Sequence, residues 1–195
     1  MPILDSKGNE IVWLQNFPND DGVDNLEIGA GKSCFGKKYF PLCYLVDQTS
    51  NELPHFSDLA NYDEVDCHYL DHVEDFGSLN LGEKKFSNII FCNPYGIGFM
   101  GSGFAKEFLN TTSSMLRQNG LIYIIGHAKN PWSNYRDATR RIIKLQESNE
   151  LNANLEFSDL TKLTPEHHYL ANNYFTLSDI NKQTIPNELF TIKLS

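Results

Sequence analysis

Leu26-Glu27-Ile28-Gly29-Ala30-Gly31-Lys32-Ser33 decides the fold of this chain when read together with the next apolar run. Twenty residues after Glu27, Asp47 closes that run, Leu42-Cys43-Tyr44-Leu45-Val46. A Gly-rich turn after one strand and an acid at the end of the next is how an open α/β sheet holds a nucleoside. The glycines let backbone approach a ligand with no Cβ in the way, and they tolerate the left-handed dihedrals of a tight turn. The carboxylate accepts from both ribose hydroxyls.

Two phosphate-binding readings fit poorly. Gly31-Lys32-Ser33 matches the end of a P-loop, but that loop needs a glycine at position 26, which is Leu26. A dinucleotide-binding turn needs a third glycine at position 34, which is Cys34. Glu27, just before the first glycine, would repel phosphate and attract an ammonium or sulfonium group. The stretch therefore favours a cationic nucleoside over ATP or NAD. The alternative is an ordinary strand-to-helix turn.

Outward from this stretch, strand-like and helix-like segments alternate. Leu26–Ile28 reads as the first strand, Cys34–Tyr39 as a short helix and Leu42–Val46 as the second strand. Leu53–Tyr62 reads as a helix with Pro54 in its first turn, and Cys67–Leu70 as the third strand. Phe86–Cys92 is apolar on both faces, as a central parallel strand should be. Ala105–Leu116 is helical by its apolar spacing, with Gly120 as the expected cap. Leu121–Gly126 is the fifth strand, and Ser133 is the expected N-cap of a charged helix running to Ser148. Leu155–Phe157 and Leu189–Leu194 alternate as strands of an antiparallel last pair. The pattern predicts an open, doubly wound, mostly parallel α/β sheet with an antiparallel last strand. Residues 1–24 form a turn-rich lead-in, and 25–195 a single domain.

The formal charge of −9 is unevenly placed: residues 1–83 carry sixteen Asp/Glu against four Lys, and residues 84–195 nine Asp/Glu against twelve Lys/Arg. Such a chain is a poor candidate for broad binding to duplex nucleic acid, which rests on many cationic contacts to phosphate. Arg117, Lys129, Arg136, Arg140, Arg141 and Lys144 form either a patch for an anionic substrate or a solvated face. Cys34, Cys43, Cys67 and Cys92, widely spaced, read as reduced core thiols. His68 and His72, and the pair His167-His168, do not read as metal ligands, and no metal is expected. No apolar run reaches the length of about 20 residues that spans a bilayer, and the N-terminus has no secretory pattern. The default expectation is a cytoplasmic protein with no membrane association.

With these features in place, the chain resembles the class I S-adenosylmethionine-dependent methyltransferases, a Rossmann-like transferase family. Glu27-Ile28-Gly29-Ala30-Gly31 resembles the family's acid-x-Gly-x-Gly motif, and Asp47 sits where its ribose-binding acid falls. Asp71-His72-Val73-Glu74-Asp75-Phe76 is similar to the adenine-binding segment after the third strand. Asn93-Pro94-Tyr95 resembles the (Asp/Asn)-Pro-Pro-aromatic motif of enzymes that methylate nitrogen, without the second proline and with the aromatic one residue early. Leu116–Leu121 is similar to the Leu-x-x-Gly-Gly turn before strand five. The resemblance covers roughly residues 25–130, and the tail from Leu155 carries no motif of the family.

The resemblance implies S-adenosyl-L-methionine as cofactor, bound by Glu27, Gly29, Ala30, Gly31, Asp47, Gln48, Asp71 and His72. It implies that Asn93 and the Pro94 carbonyl hold an acceptor amino group while Tyr95 stacks on a planar substrate. The acceptor would be a nitrogen on a small molecule, a peptide or an RNA base. Methyl transfer is an in-line displacement, so the protein's main task is alignment. Gly96–Gly103 is then expected to be a mobile lip over the acceptor, or an ordinary flexible loop. The alternative function is a catalytically inactive protein on the same scaffold whose acidic half binds a basic protein partner, as an immunity or antitoxin-like inhibitor does. A nicotinamide-dependent reductase is disfavoured by Cys34 and by the later motifs.

Overall fold

In the computed structural model, the described residues are 24–29, 36, 40, 43–47, 69–70, 79, 81, 83–163 and 186–195. The lead-in over 1–23, the helix expected over 53–62, His68, His72, His167, His168, Cys34 and Cys67 lie outside them. So does most of the helix expected over 34–39.

Five parallel strands form the centre of one sheet. They are β1 (Asn25–Ile28), β2 (Cys43–Asp47), β3 (Tyr69–Leu70), β4 (Phe86–Cys92) and β5 (Leu116–Gly126). β8 (Glu188–Leu194) joins β5 antiparallel, and β6 (Leu155–Phe157) and β7 (Thr161–Lys162) both pair with β8 antiparallel. The order is β3-β2-β1-β4-β5-β8-β6. The chain winds outward from β1 through β2 to β3, then crosses back to lay β4 on β1's other edge. That reversal creates a switch point between β1 and β4, and ligands of open α/β sheets bind outside the carboxyl ends of the strands there.

β1 and β4 each lie between two parallel neighbours and are buried along most of their length. All four residues of β1 are buried, and Phe86 and Asn88–Phe91 of β4 are buried too. Polar residues at the β1 end of this core are paired across it. Asn88 Nδ2 donates to Asn25 Oδ1 at 2.8 Å, joining residues that face each other in the β1–β4 register. Asp24, fully buried, lies 2.8 Å from the Arg117 guanidinium.

The helix α1 (Ser102–Met115) buries Ala105, Phe108, Leu109, Thr112 and Met115. It starts one turn before the expected Ala105, and Gly120 does not cap it. The backbone is already extended at Leu116, the C-cap. Phe86 then pairs with Leu116 and Asn88 with Leu121, so Arg117–Gly120 bulges from the β5 edge. Gly120 serves close packing in that bulge, since a Cβ there would stand 2.8 Å from Arg117 O and 2.9 Å from Leu116 Cδ2. The helix α2 (Tyr135–Glu147) is capped by Asn134, whose Oδ1 accepts from Asp137 N at 3.0 Å. Ser133, the expected cap, is instead fully buried beside β5.

Aromatic edge-to-face contacts run through the core between these elements. Phe108 on α1 meets Phe91 of β4 at 4.8 Å and Phe99 at 5.1 Å between centroids. Phe190 of β8 meets Tyr135 of α2 at 5.2 Å. Such pairs favour offset and T-shaped geometry, and each adds about 0.5–1.5 kcal/mol beyond burial. Among the described residues no helix is long and apolar enough to cross a membrane.

Candidate functional site

At the carboxyl end of β1, the Glu27 side chain is fully buried, and its Oε2 accepts from Gly36 N at 2.6 Å. That backbone N–H fixes where the Glu27 carboxyl sits, next to the first turn in sequence. Gly29 begins that turn at φ 72°, a conformation glycine enters without strain. Its N–H donates to Val46 O at 2.8 Å, tying the turn to β2. Among the described residues nothing stands within 4 Å of where a Gly29 Cβ would be. Gly36 was missed from sequence. A Cβ there would meet Cys43 Sγ at 2.5 Å and Glu27 Oε2 at 3.0 Å, so only glycine brings its N–H to the carboxylate undisturbed. Asp47 ends β2, one strand over from Glu27 as its spacing implied. Ala30, Gly31, Gln48, Asp71 and His72 lie outside the described residues.

Beyond the switch point, Asn93-Pro94-Tyr95 leaves the carboxyl end of β4. Asn93 turns the chain at φ 49°, and its N–H donates to Ile125 O at 2.6 Å. Asn93 Oδ1 and Pro94 O both accept from the Nδ2 of one residue, Asn130, at 2.9 and 3.0 Å. Sequence reasoning did not single out Asn130. No local pattern marks it, because its partners are 36 and 37 positions away.

Trp132 lies in the same turn. Tyr95 meets its ring at 6.0 Å and Phe104 of α1 at 5.1 Å, both edge-to-face. Trp132 is buried while Tyr95, Phe104 and Met100 are more than half exposed. A buried indole with two rings standing clear of the surface makes an aromatic rim beside the Asn93 and Pro94 oxygens. The segment expected to be a mobile lip is anchored at its centre. Ile97 and Phe99 are buried, and Phe99 N donates to Trp132 O at 2.8 Å. Arg141 of α2 clasps the same segment, Nε donating to Phe99 O, Nη2 to Met100 O and Nη1 to Ser102 Oγ.

At the end of β5, His127 Nδ1 accepts from Lys129 N at 2.9 Å. Burial lowers its pKa below 6.5, with Glu188 opposing the shift and Lys129 and Lys162 adding to it. Glu188 is buried on β8 and forms an ion pair with Lys162. Tyr123 on β5 is pushed up to about 12 by burial, so its phenol stays neutral.

The expected basic patch is partly dispersed. Arg117 pairs with Asp24, Arg140 with Asp137, and Arg141 serves the 97–102 segment. Among the described residues no three His, Cys, Asp or Glu side chains converge as a metal site. Among the described residues, neither Cys43 nor Cys92 is in a disulfide.

No protein-family model matches the sequence, and no curated protein matches it. Solved structures do match. A 16S rRNA (adenine(1408)-N(1))-methyltransferase from Catenulisporales acidiphilia is similar at TM-score 0.54 and 10% identity, covering 94% of this chain and 96% of that one. A putative SAM-dependent methyltransferase from Streptococcus mutans is similar at TM-score 0.52 and 17% identity, covering 90% of this chain. The chain spans 46% of that protein's length. The putative methyltransferase SMU.776, crystallised with SAH, is similar at TM-score 0.51 and 17% identity, covering 90% of this chain and 46% of that one. At these identities the likeness is one of fold: the chain has the Rossmann-like, mostly parallel architecture of class I methyltransferases.

Proposed function

We propose that the chain is an S-adenosylmethionine-dependent methyltransferase acting on an amino nitrogen. The carrying observation is the Gly29 turn at the switch point, unobstructed among the described residues, with the buried Glu27 carboxyl two residues before it and Asp47 one strand away. These residues fit the cofactor. The Glu27 charge favours a cationic amino-acid end, Gly29 leaves room for close approach of the ligand, and the Asp47 carboxylate suits vicinal hydroxyls. Ala30, Gly31, Gln48, Asp71 and His72 complete the binding set in this reading.

When bound, the cofactor supplies an electrophilic methyl carbon on a sulfonium. The chain's own residues then orient the acceptor. Asn93 Oδ1 and Pro94 O are acceptors of the kind that hold an amine N–H, which would aim the nitrogen lone pair into the site. Tyr95, at the aromatic rim, gives a flat acceptor a ring to lie against. The exposed rim beside Asn93 and Pro94 would let the proton lost by the acceptor nitrogen pass to solvent. Small-molecule, peptide and RNA-base amines all fit this description. The inactive binder of a basic partner has no observation in its favour.

The test is mass spectrometry of the denatured purified protein for an adenosyl ligand, together with calorimetry of S-adenosylhomocysteine binding. Micromolar affinity that is lost in Asp47→Ala supports the proposal. Absence of binding in the unmodified chain rejects it.

A further inference from the structure

The Asn130 side chain is 1% exposed, and a carboxamide buried that deeply needs partners at both ends. Its two ends serve different parts of the same site. Nδ2 donates to Asn93 Oδ1 and Pro94 O at 2.9 and 3.0 Å, and Oδ1 accepts from Trp132 N at 2.9 Å. Its backbone is held in turn, N donating to His127 O at 2.8 Å and O accepting from Ser133 N at 3.2 Å.

We propose that Asn130 is the positioning residue of the acceptor site, acting through Asn93, Pro94 and Trp132. This rests on the reading of Asn93-Pro94-Tyr95 as the acceptor turn. One amide thus sets the spacing and direction of both oxygens of the acceptor turn. The same carboxamide fixes the backbone carrying Trp132, and so the ring that Tyr95 and Phe104 lie against. Only a planar group with a donor at one end and an acceptor at the other does both. Aspartate would turn an acceptor toward two acceptors, and alanine would leave Asn93 Oδ1, Pro94 O and Trp132 N without this partner.

The chain has two tryptophans, so a Trp13→Phe parent reports on Trp132 alone. The charged or titratable groups on the segments around Asn130 are Tyr95, His127, Lys129, Arg141 and Glu188. Burial lowers the His127 pKa from 6.5, and the parent's own pH trace carries its contribution. In Asn130→Asp, the buried carboxyl donates one hydrogen bond when protonated, and as a carboxylate it repels both oxygens. Trp132 emission and acrylamide quenching should match the parent at acid pH. They should move to longer wavelength and stronger quenching as pH rises through the carboxyl's burial-raised pKa. S-adenosylhomocysteine affinity should stay within about threefold of the parent at both ends. Asn130→Ala should show the shifted emission at every pH with its circular dichroism retained. Parent-like Trp132 signals in both variants overturn the proposal, and so does loss of cofactor affinity in step with loss of folded structure at every pH. A parent that fails to bind S-adenosylhomocysteine defeats the methyltransferase reading instead, while the Trp132 response still decides whether Asn130 couples the two segments.

Discussion

Gly36 N donates to Glu27 Oε2 at 2.6 Å, so the acid before the first glycine turn is held from the protein side by backbone. That contact depends on the missing Cβ at position 36. Gly36→Ala would put a methyl 2.5 Å from Cys43 Sγ and 3.0 Å from Glu27 Oε2. Overpacking of this kind costs about 1–3 kcal/mol. Urea unfolding of Gly36→Ala should show that loss, and Cys43→Ala in the same chain should recover part of it. Unchanged stability in Gly36→Ala would mean the Glu27–Gly36 contact is looser than described.

At Gly29 the conformational and steric requirements separate. A non-glycine residue in the left-handed region costs roughly 1–2 kcal/mol, and asparagine tolerates that region better than alanine. Gly29→Asn should therefore be more stable than Gly29→Ala by thermal melting. Both carry a Cβ onto the face where the ligand is proposed to approach, so both should bind S-adenosylhomocysteine much more weakly than the unmodified chain. Retained affinity in Gly29→Asn would show that the glycine serves the turn alone and that the cofactor lies elsewhere.

Asn93 also sits in the left-handed region, at φ 49°. Asn93→Gly keeps that backbone and removes Oδ1, whereas Asn93→Ala removes Oδ1 and adds strain of about 1 kcal/mol. Calorimetry should give both variants near-normal S-adenosylhomocysteine affinity, with Asn93→Ala melting at the lower temperature. Loss of cofactor binding in Asn93→Gly would place Asn93 at the cofactor and away from the acceptor.

Legibility in the sequence tracked the range of the interactions involved. β2 and β4 announce themselves as apolar runs, in β4 because burial on both faces demands it, and the alternation of Leu189–Leu194 marked the antiparallel last strand. The residues that tie the strand tips together carried no such signal. Asn130 is one asparagine among many until β4 and β5 come side by side. Asn134 caps α2 in place of Ser133 because packing against β5 had already buried Ser133. Thr161–Lys162 is too short and polar to read as a strand, and it pairs only because β8 offers an edge. Gly120 looked like a helix cap because its role depends on Leu116 and on Ser87 O across the sheet. The spacing of Glu27, Gly29 and Asp47 was legible because a βα unit fixes it along the chain.

The pH dependence of stability should carry a mark from His127. Burial lowers its folded pKa below the ordinary 6.5, so between the two values the unfolded chain binds more protons than the folded one. Stability from this residue is therefore fully present above about pH 6.5 and declines as pH falls toward the folded pKa. Melting temperatures measured across this window should fall on acidification, and the fall should be smaller in His127→Gln. An identical slope in the variant would assign the effect to other groups.

Arg141 offers the sharpest check on whether the segment after β4 is a lip or a strut. Its guanidinium donates to Phe99 O, Met100 O and Ser102 Oγ from a helix 39 or more positions away. Hydrogen bonds to a charged group contribute about 1.5–3 kcal/mol each when well formed, with exposure reducing the share of the outer two. Arg141→Met keeps the aliphatic stem and removes these donors. Amide exchange over residues 97–103 should then quicken toward that of an unanchored loop, while the α1 residues Phe108 and Leu109 keep their protection. If the segment already exchanges freely in the unmodified chain, it is a mobile lip after all, and the strap drawn by Arg141 is not maintained in solution. If it stays protected in Arg141→Met, the Phe99–Trp132 backbone bond and the burial of Ile97 and Phe99 suffice to hold it.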